Sequence, residues 1–439
     1  MLQHESVPVV TNLRSSAHWL PVLAVLLVTG SCGSDRDPLE PTDDPREPVL
    51  PSVIRSDLAT GTFFSCAIGS DSLTYCWGAN HFGQLGSSGQ EQTAVPTPVE
   101  GGHRFMAITA SSPNSVVGPF FACGLTNEGK AWCWGAADIA PLKGQGESQC
   151  SFLFGPNTVN RPCVRRPVPI ADSLRWITLQ AGGTHLCGVS TDGDLLCWGE
   201  NNFGQVGDGT TVEVPAPTRI TIPGSVISVA PGPSHSCALT ADGAAYCWGV
   251  NSNGQLGIGS LLPALSPERV LTDIKFTSLA VGSNFTCGIV LDRTAYCWGW
   301  LRGLVEVPPA TVPELARISP VPAPLRNSPQ LLTLASSLSD TCAVGVMQKV
   351  WCWGLNGNFQ HGDEASMDSV RRCVYGTQQC VPRPFGADIP MRMVQGGGLH
   401  MCGRGLDTQV WCWGGNAFGE RGEPNAKSPV AEPARVPLP

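Results

Sequence analysis

Cysteine is the residue type in this chain that could carry the most chemistry. Nineteen cysteines occur among 439 residues, and clustered thiols can bind a metal, perform redox chemistry or form disulfides. Their spacing is regular: seven pairs are ten positions apart, from Cys66 and Cys76 to Cys402 and Cys412, and each second cysteine begins a Cys-Trp-Gly tripeptide. This regularity indicates one structural pair in each of seven repeats.

Each repeat predicts a β-hairpin with its two cysteines on facing strands. In the third repeat, two β-prone runs flank Thr191-Asp192-Gly193, which suits a three-residue turn with glycine in the left-handed position. Cys187 then faces Cys197 at a non-hydrogen-bonded pair, where facing Cα atoms come within disulfide reach. We therefore predict seven hairpin disulfides: Cys66–Cys76, Cys123–Cys133, Cys187–Cys197, Cys237–Cys247, Cys287–Cys297, Cys342–Cys352 and Cys402–Cys412.

The five remaining cysteines fall outside the repeated hairpins. Cys150 and Cys163 lie in an insertion after the second repeat, and Cys373 and Cys380 lie in one after the sixth, so we expect two further local disulfides. Cys32 is then the single unpaired cysteine. On this pairing, no cysteine is left for catalysis or for a zinc site.

The N-terminal segment has the features of an export signal. Arg14 precedes the apolar run Trp19 to Val28, which is too short to span a bilayer. The following Thr-Gly-Ser-Cys resembles the cleavage site of bacterial lipoproteins, although Thr29 stands where an aliphatic residue is usual. We expect a signal peptide over 1–31 and lipidation of Cys32, with the chain anchored to the outer membrane of a bacterial cell envelope. An ordinary cleaved signal or an uncleaved anchor is the alternative.

Composition and charge separate a tether from a folded region. Residues 33–52 are acidic and rich in proline and cannot form a core, so we interpret 32–52 as a lipidated cysteine followed by a disordered tether. The whole chain has a net charge of −8, which disfavours nucleic acid as a partner because nothing neutralises phosphates. Residues 53–439 contain all seven repeats.

The second strand of each hairpin is apolar on both faces. Trp351 and Trp353 share one face of this strand in the sixth repeat, and Val350 and Cys352 share the other. A sheet covered on both sides occupies the position of a propeller blade, so we predict an all-β, seven-bladed β-propeller. We expect core packing between blades, rather than ligand stacking, for the tryptophans of the tripeptides, which are Trp77, Trp134, Trp198, Trp248, Trp298, Trp353 and Trp413.

The repeat resembles that of the regulator of chromosome condensation family, whose members are seven-bladed propellers. After Trp-Gly, the pattern Asn-x-x-Gly-Gln-Leu-Gly occurs at Asn80 to Gly86, Asn201 to Gly207 and Asn251 to Gly257, and more loosely at Asn416 to Gly422. The second, fifth and sixth repeats depart from it: Ala136 to Ala140 lacks the asparagine, Trp300 to Val307 is truncated, and Asn356 to Gln360 is interpreted as shifted.

One further repeated position could have formed a metal site. Two residues before the first cysteine of each hairpin stand Phe64, Phe121, His185, His235, Phe285, Asp340 and His400. A ring of these side chains could hold a metal, but its alternation with phenylalanine indicates a packing position, and neighbouring blades are about 10 Å apart. The sequence also contains no Walker loop, no HExxH motif, no nucleophile-elbow motif and no dinucleotide-binding fingerprint. We therefore expect no metal, no cofactor and no enzyme activity.

The expected function is a monomeric, lipid-anchored scaffold that binds an unknown protein or glycan. The family resemblance implies guanine-nucleotide exchange as an alternative, but an exported chain would not meet a cytosolic GTPase. The resemblance to bacterial β-lactamase inhibitory proteins built on the same propeller implies protein binding. A propeller hydrolase or lyase is a third alternative, and it would need convergent carboxylates.

The binding surface is predicted where the repeat is broken, because irregular loops are free to carry function. The second repeat contributes 111–118 and the loop from Cys150 to Cys163. An inert insertion stabilised by a disulfide is an equally good interpretation. The candidate partner-binding residues, aromatic or cationic, are Phe152, Phe154, Arg161, Arg371, Arg372 and Tyr375.

Overall fold

The computed structural model of the chain describes residues 56–89, 91–115, 118–146, 148–154, 157–301, 304–305, 318–362, 381–385, 388–423 and 430–439. The chain divides into Met1–Val49 and Leu50–Pro439, and every described residue belongs to the second unit. The segments 1–31 and 32–52, with Cys32, therefore lie outside the described residues. Within those residues, all regular structure is β-strand, and a search for membrane-crossing helices finds none.

The strands form seven antiparallel sheets, one for each repeat. The first two blades contain β1 (Leu58–Thr60), β2 (Phe64–Ile68), β3 (Thr74–Ala79) and β4 (Gln92–Pro98), then β5 (Phe105–Ala110), β6 (Phe121–Thr126), β7 (Ala131–Ala136), β8 (Ser148–Phe154) and β9 (Asn157–Ile170). The third and fourth contain β10 (Trp176–Ala181), β11 (His185–Ser190), β12 (Leu195–Gly199) and β13 (Val214–Arg219), then β14 (Val226–Pro231), β15 (His235–Thr240), β16 (Ala245–Gly249) and β17 (Ala264–Arg269).

The last three blades follow the same plan. They contain β18 (Phe276–Val281), β19 (Phe285–Val290), β20 (Ala295–Trp300) and β21 (Ile318–Pro324), then β22 (Leu331–Ser336), β23 (Asp340–Gly345), β24 (Val350–Gly354) and β25 (Arg383–Pro384), and finally β26 (Met391–Gly396), β27 (His400–Gly405), β28 (Val410–Gly414) and β29 (Val430–Val436). Six sheets have four strands in chain order, and the second has five because β8 pairs with β9 at its outer edge.

The blades form a closed ring, so the protein is a seven-bladed β-propeller. The first strands of successive blades, β1, β5, β10, β14, β18, β22 and β26, contact one another in turn, and β1 also contacts β26. The first and last blades have no strand in common. They are joined by an ion pair between Arg392 and Asp57, by the donation of Ser70 Oγ to Pro439 O at 3.0 Å, and by apolar packing.

The predicted hairpin disulfides are present in all seven blades. Cys187 faces Cys197 in the register of β11 and β12, and the paired Cα atoms are 4.1 or 4.2 Å apart in all seven hairpins. Cys150 and Cys163 are also bonded, with Cα atoms 5.8 Å apart. Cys373 and Cys380 lie outside the described residues.

The glycine of each Cys-Trp-Gly tripeptide is required by close packing within the blade. Gly199 has φ +124° at a register shift between β12 and β13, and a Cβ there would lie 2.6 Å from the His185 Cα. The preceding tryptophans are buried, as predicted. Trp248 Nε1 donates at 2.9 Å to Gln205 O of the preceding blade, so this residue joins two blades.

The Asn-x-x-Gly-Gln loops are built by side-chain hydrogen bonds to the loop's own backbone. In the third blade Asn201 Oδ1 accepts from Val206 N, and Gln205 Oε1 accepts from Phe203 N, both at 2.9 Å. Asn356 and Gln360 make the same two bonds in the sixth blade. Our interpretation of that copy as shifted is therefore wrong, because the asparagine and glutamine keep their spacing and only the residues around them differ.

Candidate binding face

The connections between strands fall on two opposite faces, because neighbouring strands in each blade are antiparallel. One face, here the turn face, carries the hairpin turns 69–73, 127–130, 191–194, 241–244, 291–294, 346–349 and 406–409, together with the links between blades. The other, here the loop face, carries the connections between the first and second strands and those that follow the third strand of each blade.

Among the connections whose flanking strands the structure describes, those whose lengths depart most from the repeat begin at the loop face. The connection after β5 runs over 111–120, whereas its counterparts are 61–63, 182–184, 232–234, 282–284, 337–339 and 397–399. The β8–β9 hairpin and the connections 301–317 and 355–382 also begin at this face. The hairpin turns of the opposite face have nearly constant length. The loop face is therefore where this chain differs from a regular propeller.

The central channel is lined by residues of all seven blades. Its cavity volume is about 210 Å³, and it is lined by aliphatic side chains such as Ile227 and Val229 together with hydroxyl and amide groups such as Thr109 and Gln395. No charged residue is among those that line it in the described part of the chain.

In the connection after β5, residues 111–115 extend from the second blade toward the middle of the ring. Pro113 O accepts a 3.1 Å hydrogen bond from Thr62 Oγ1 of the first blade, and Ser112 N donates to Gly182 O of the third blade. Asn114 lines a pocket together with Phe285 and Trp353 of the fifth and sixth blades. The loop therefore contacts blades on both sides of the channel.

The β8–β9 hairpin packs against its own molecule. The Phe152 ring lies 4.0 Å from His81 and 6.2 Å from Phe418 of the seventh blade, measured between centroids. Arg161 forms an ion pair with Asp138 and lies over the Phe82 ring at 5.7 Å. We expected these residues at an exposed tip, and the structure instead places Phe152 in an aromatic cluster and Arg161 in ionic and cation–π contacts.

Four other candidate partner-binding groups fall outside what the structure describes. These are the side chain of Phe154 and the residues Arg371, Arg372 and Tyr375. Their role in partner binding stays a prediction, as does that of Phe152 and Arg161.

The repeated histidine position forms hydrogen-bonded relays between blades. His185 Nε2 lies 2.7 Å from Ser236 Oγ of the next blade, and Ser236 Oγ donates to Gln205 O at 2.9 Å. Since the hydroxyl proton goes to the carbonyl, His185 Nε2 is the donor in the first bond, which assigns its tautomer. His235 with Thr286 and His400 with Ser65 make equivalent relays.

Burial keeps these three histidines neutral. It lowers the pKa of His185, His235 and His400 to about 3. Each histidine bonds to the adjacent blade, and no group of three metal-ligating side chains is found within the residues that the structure describes. The sequence carried a signal for the relay that we missed: a serine or threonine directly precedes the first cysteine of the next repeat after each of these histidines.

Two carboxyl groups stand in place of the regular residues. Asp340 occupies the histidine position of the sixth blade, accepting from Asn356 N at 2.6 Å and from Ser339 Oγ at 2.7 Å. Glu420 replaces the loop glutamine in the seventh blade and accepts from Phe418 N at 2.7 Å. Burial raises the pKa of the Glu420 carboxyl. Both carboxyl groups are buried within loop structure, so neither is positioned to meet a substrate.

Large apolar side chains are exposed on the loop face of the third and fourth blades. A Cβ on Gly204 would lie 2.6 Å from Leu265, so the third-blade loop contacts the outer strand of the fourth blade. Exposed fractions are 51% for Phe203, 70% for Val212 and 73% for Leu262. We refer to Phe203, Val212, Leu261, Leu262 and Leu265 as the apolar patch.

Comparison with known sequences assigns the repeat. The model of the Regulator of chromosome condensation (RCC1) repeat matches residues 71–117, 192–239 and 242–289, and a second model of the same description matches 176–205 and 226–255. The chain carries RCC1 repeats. The RCC1 matches cover the regular third and fourth blades and parts of the first, second and fifth, whereas the cysteine spacing extends to all seven.

RCC1-repeat relatives are similar over part of the chain. The human E3 ubiquitin-protein ligase HERC2 is 28% identical over 220 residues, which are 40% of this chain and 4% of HERC2. The Arabidopsis thaliana ultraviolet-B receptor UVR8 is 27% identical over 165 residues, which are 37% of this chain and 33% of UVR8. The matched region thus spans a third or less of these relatives.

Solved structures of other proteins share the fold. Human WBSCR16 superposes with a TM-score of 0.63 at 19% identity, covering 83% of this chain and 94% of that one. Yeast RCC1 (Prp20), solved with Kap60, superposes with a TM-score of 0.67 at 16% identity, covering 86% of this chain and 84% of Prp20. At these identities the likeness supports the propeller fold alone.

Proposed function

We propose that this chain is an exported, lipid-anchored propeller whose loop face binds a protein or glycan partner without catalysing a reaction. The observation that supports this most strongly is that, among the strands that the structure describes, the connections of irregular length begin at one face. Loops on a rigid scaffold commonly carry binding function. The ring, its relays and its disulfides would supply that rigid scaffold.

Two further observations support binding by proteins of this type. The printed descriptions of yeast Prp20 record binding to Gsp1p, histones and Kap60, so a propeller of this fold can bind proteins. The apolar patch adds an exposed surface of neighbouring apolar side chains, which is typical of interaction sites. We propose it, together with Phe154, Arg371, Arg372 and Tyr375, as the contact surface.

Export is proposed on the basis of the disulfides. A disulfide in every blade suits an oxidising compartment, since such bonds are rare where thiols are kept reduced. We propose Cys32 as the lipidated residue and 33–52 as the tether. Replacing Cys32→Ala should abolish incorporation of labelled fatty acid and release the chain from membranes. Retention of the variant in the membrane fraction would argue for an uncleaved anchor.

The binding proposal is tested by comparing the two faces. The double variant Phe203→Ser and Leu262→Ser removes exposed apolar groups from the loop face, and Leu291→Ser and Met347→Ser remove comparably exposed groups (83% and 77%) from the turn face. Exposed substitutions should each change stability by less than about 0.5 kcal/mol. We expect the loop-face double variant to capture envelope proteins or glycans more weakly than the wild type, and the turn-face double variant to capture them as well as the wild type. Equal capture by the two double variants would contradict the proposal.

A further inference from the structure

The hairpin turns of the fifth, sixth and seventh blades differ from those of the first four. Four positions after the first cysteine of each repeat, the chain has a polar residue or alanine in the first four repeats and a leucine or valine in the last three. In chain order these residues are Ser70, Asn127, Thr191, Ala241, Leu291, Val346 and Leu406. The next position is acidic in six repeats, and Met347 replaces the acid in the sixth. Large apolar groups at these two positions are thus confined to three neighbouring blades.

These apolar side chains are exposed on the turn face. Exposed fractions are 83% for Leu291, 77% for Met347, 51% for Leu406 and 38% for Val346. Leu332, the second residue of β22, lies at the same face and is 44% exposed. We refer to Leu291, Val346, Met347 and Leu406 as the turn-face tips. A single exposed leucine is ordinary, whereas apolar groups at equivalent positions of three successive blades indicate an interaction surface.

The charges in the same three turns balance, unlike those of the preceding blades. The turns of the fifth, sixth and seventh blades contain two acidic and two basic side chains, which are Asp292, Arg293, Lys349 and Asp407. The turns of the second, third and fourth blades contain four acidic side chains and one basic side chain. An apolar surface without net charge suits the interface of a bilayer with neutral headgroups. Anionic headgroups would be repelled by the acidic turns beside it.

The N-terminal segment enters the propeller at the turn face. Ser56 is the first described residue, and β1 runs from this face toward the connection 61–63 of the loop face. Cys32, the residue proposed above for lipidation, precedes Ser56 by 24 positions. A lipid on Cys32 would therefore hold the propeller to a bilayer by the face that carries the tips.

We propose that the turn-face tips insert into the interface of a lipid bilayer with neutral headgroups, so that the loop face is directed away from the membrane. The inference rests on the proposed function, since the lipid on Cys32 would supply one attachment and the tips a second. A single signal gives weak, reversible binding, and stable attachment takes two. Side chains on separate turns can each enter the bilayer without a complementary partner surface, and each removes apolar area from water.

Vesicle flotation compares the two faces in a chain that carries no lipid. The parent is the full-length Cys32→Ala chain, mixed with phosphatidylcholine vesicles. The turn-face double variant adds Leu291→Ser and Met347→Ser, and the matched control adds Phe203→Ser and Leu262→Ser on the loop face. The N-terminal segment is the same in all three chains. The turn-face double variant should bind at least about tenfold more weakly than the parent, because two apolar groups are lost from the contact. The control should bind within about twofold of the parent.

Two further variants separate apolar contact from folding. The double variant Leu291→Met and Met347→Leu keeps the apolar area and should bind vesicles as the parent does. Leu406→Ser changes a different blade and should lower the affinity by about threefold or more, so a folding failure of the serine double variant leaves this test informative. The near-ultraviolet spectrum identifies the variants that are folded.

Met347 also reports the contact directly. In a chain with ¹³C-labelled methionine methyl groups, a nitroxide-labelled lipid in a phosphatidylcholine nanodisc should broaden the Met347 methyl signal, which Met347→Leu identifies. The methyl signal of the buried Met401 should keep its width. A Met347 signal that is not broadened in the bound chain would show that the tips do not reach the bilayer.

Three other results would overturn the proposal. Equal vesicle binding by the two serine double variants would show that the turn face does not carry the contact. Tenfold tighter binding on addition of phosphatidylglycerol would show that the surface recognises anionic rather than neutral headgroups. If the turn-face double variant binds vesicles as the parent does but captures fewer envelope proteins, the occupant is a protein. These results do not depend on lipidation, because the parent has alanine at position 32. Membrane retention of Cys32→Ala in cells, together with weaker vesicle binding by the turn-face double variant, would overturn the lipid anchor and leave the tips as the contact.

Discussion

Two interfaces between neighbouring blades, here called seams, are built from equivalent positions of the repeat but make different contacts. Between the third and fourth blades, His185, Ser236 and Gln205 form a relay, and Trp248 donates to the same carbonyl. Between the fifth and sixth blades, Phe285 stands in the histidine position and Trp353 Nε1 is unpaired in the described structure. The first seam is closed by polar contacts, and the second is packed by apolar side chains around a pocket.

The difference shows which parts of the repeat are separable. The disulfide, the tripeptide glycine and the buried tryptophan are present at both seams, so they maintain the blade itself. The relay needs three residues from two repeats and is absent at the second seam, where Phe285 stands in the histidine position. A seam can therefore lose its polar contacts and gain a pocket without losing the propeller.

The largest expected effect is on the pH dependence of stability. Unfolded histidine titrates near 6.5, whereas burial lowers the pKa of His185 to about 3 in the folded chain. The stabilisation is complete above about pH 6.5 and is lost as the pH falls toward 3, because the unfolded chain then binds a proton that the fold excludes. Each such histidine should contribute up to about 1.4 kcal/mol per pH unit in this window.

The variant His185→Gln isolates that contribution. Glutamine does not titrate, and its amide can donate to Ser236 Oγ, so the stability loss between pH 7 and pH 4.5 should be smaller than in the wild type by about 2 to 3 kcal/mol. Denaturant unfolding with disulfides intact measures it. His103→Gln, outside the relays, is the comparison variant: burial also lowers the pKa of His103, but this side chain is only partly buried, so the loss should change by a smaller amount. Parallel pH curves for His185→Gln and wild type would show that His185 is not held neutral.

The fold could be predicted from the sequence because its main signals are local. The ten-residue cysteine spacing specifies facing positions in a hairpin, and the alternation around Trp353 specifies a sheet covered on both faces, so blade number and disulfides followed. The relays depend on pairs such as His185 and Ser236, which lie in different repeats. These relays could have been found only by comparing equivalent positions in successive repeats.

The candidate site was predicted less well, for a physical reason. Composition indicated that Phe152 and Arg161 could anchor a partner, but the side chains they meet, His81 and Asp138, come from connections of other strands. An aromatic or cationic side chain in an insertion can pack inward or outward with the same local sequence. The direction in which such a side chain packs depends on how the propeller blades are arranged around it. The pocket at Trp353 depends on the same arrangement.

The two seams should also respond differently to the same tryptophan substitution. Trp248→Phe removes a donor that is paired with Gln205 O, and that carbonyl keeps only the Ser236 hydroxyl. Trp353→Phe removes a donor that has no partner in the described structure. Beyond the similar loss of buried area, the first variant should cost about 1 kcal/mol more. Equal losses in denaturant unfolding would mean that the Trp248 hydrogen bond contributes nothing net.

The smallest effect is expected in the sixth-blade loop, which keeps the Asn-x-x-x-Gln spacing but not its glycine. Gly83, Gly204, Gly254 and Gly419 have φ between +73° and +82°, and Phe359 stands in their place with φ +60°. A bulky side chain is disfavoured in this left-handed conformation, and asparagine tolerates it better. Phe359→Asn should therefore stabilise the chain by about 0.5 kcal/mol, an amount that is within reach of denaturant unfolding. Gly204→Asn, the matched control, should destabilise it, because its Cβ would lie 2.6 Å from Leu265. A stability loss with Phe359→Asn would mean that contacts of the ring outweigh the backbone strain.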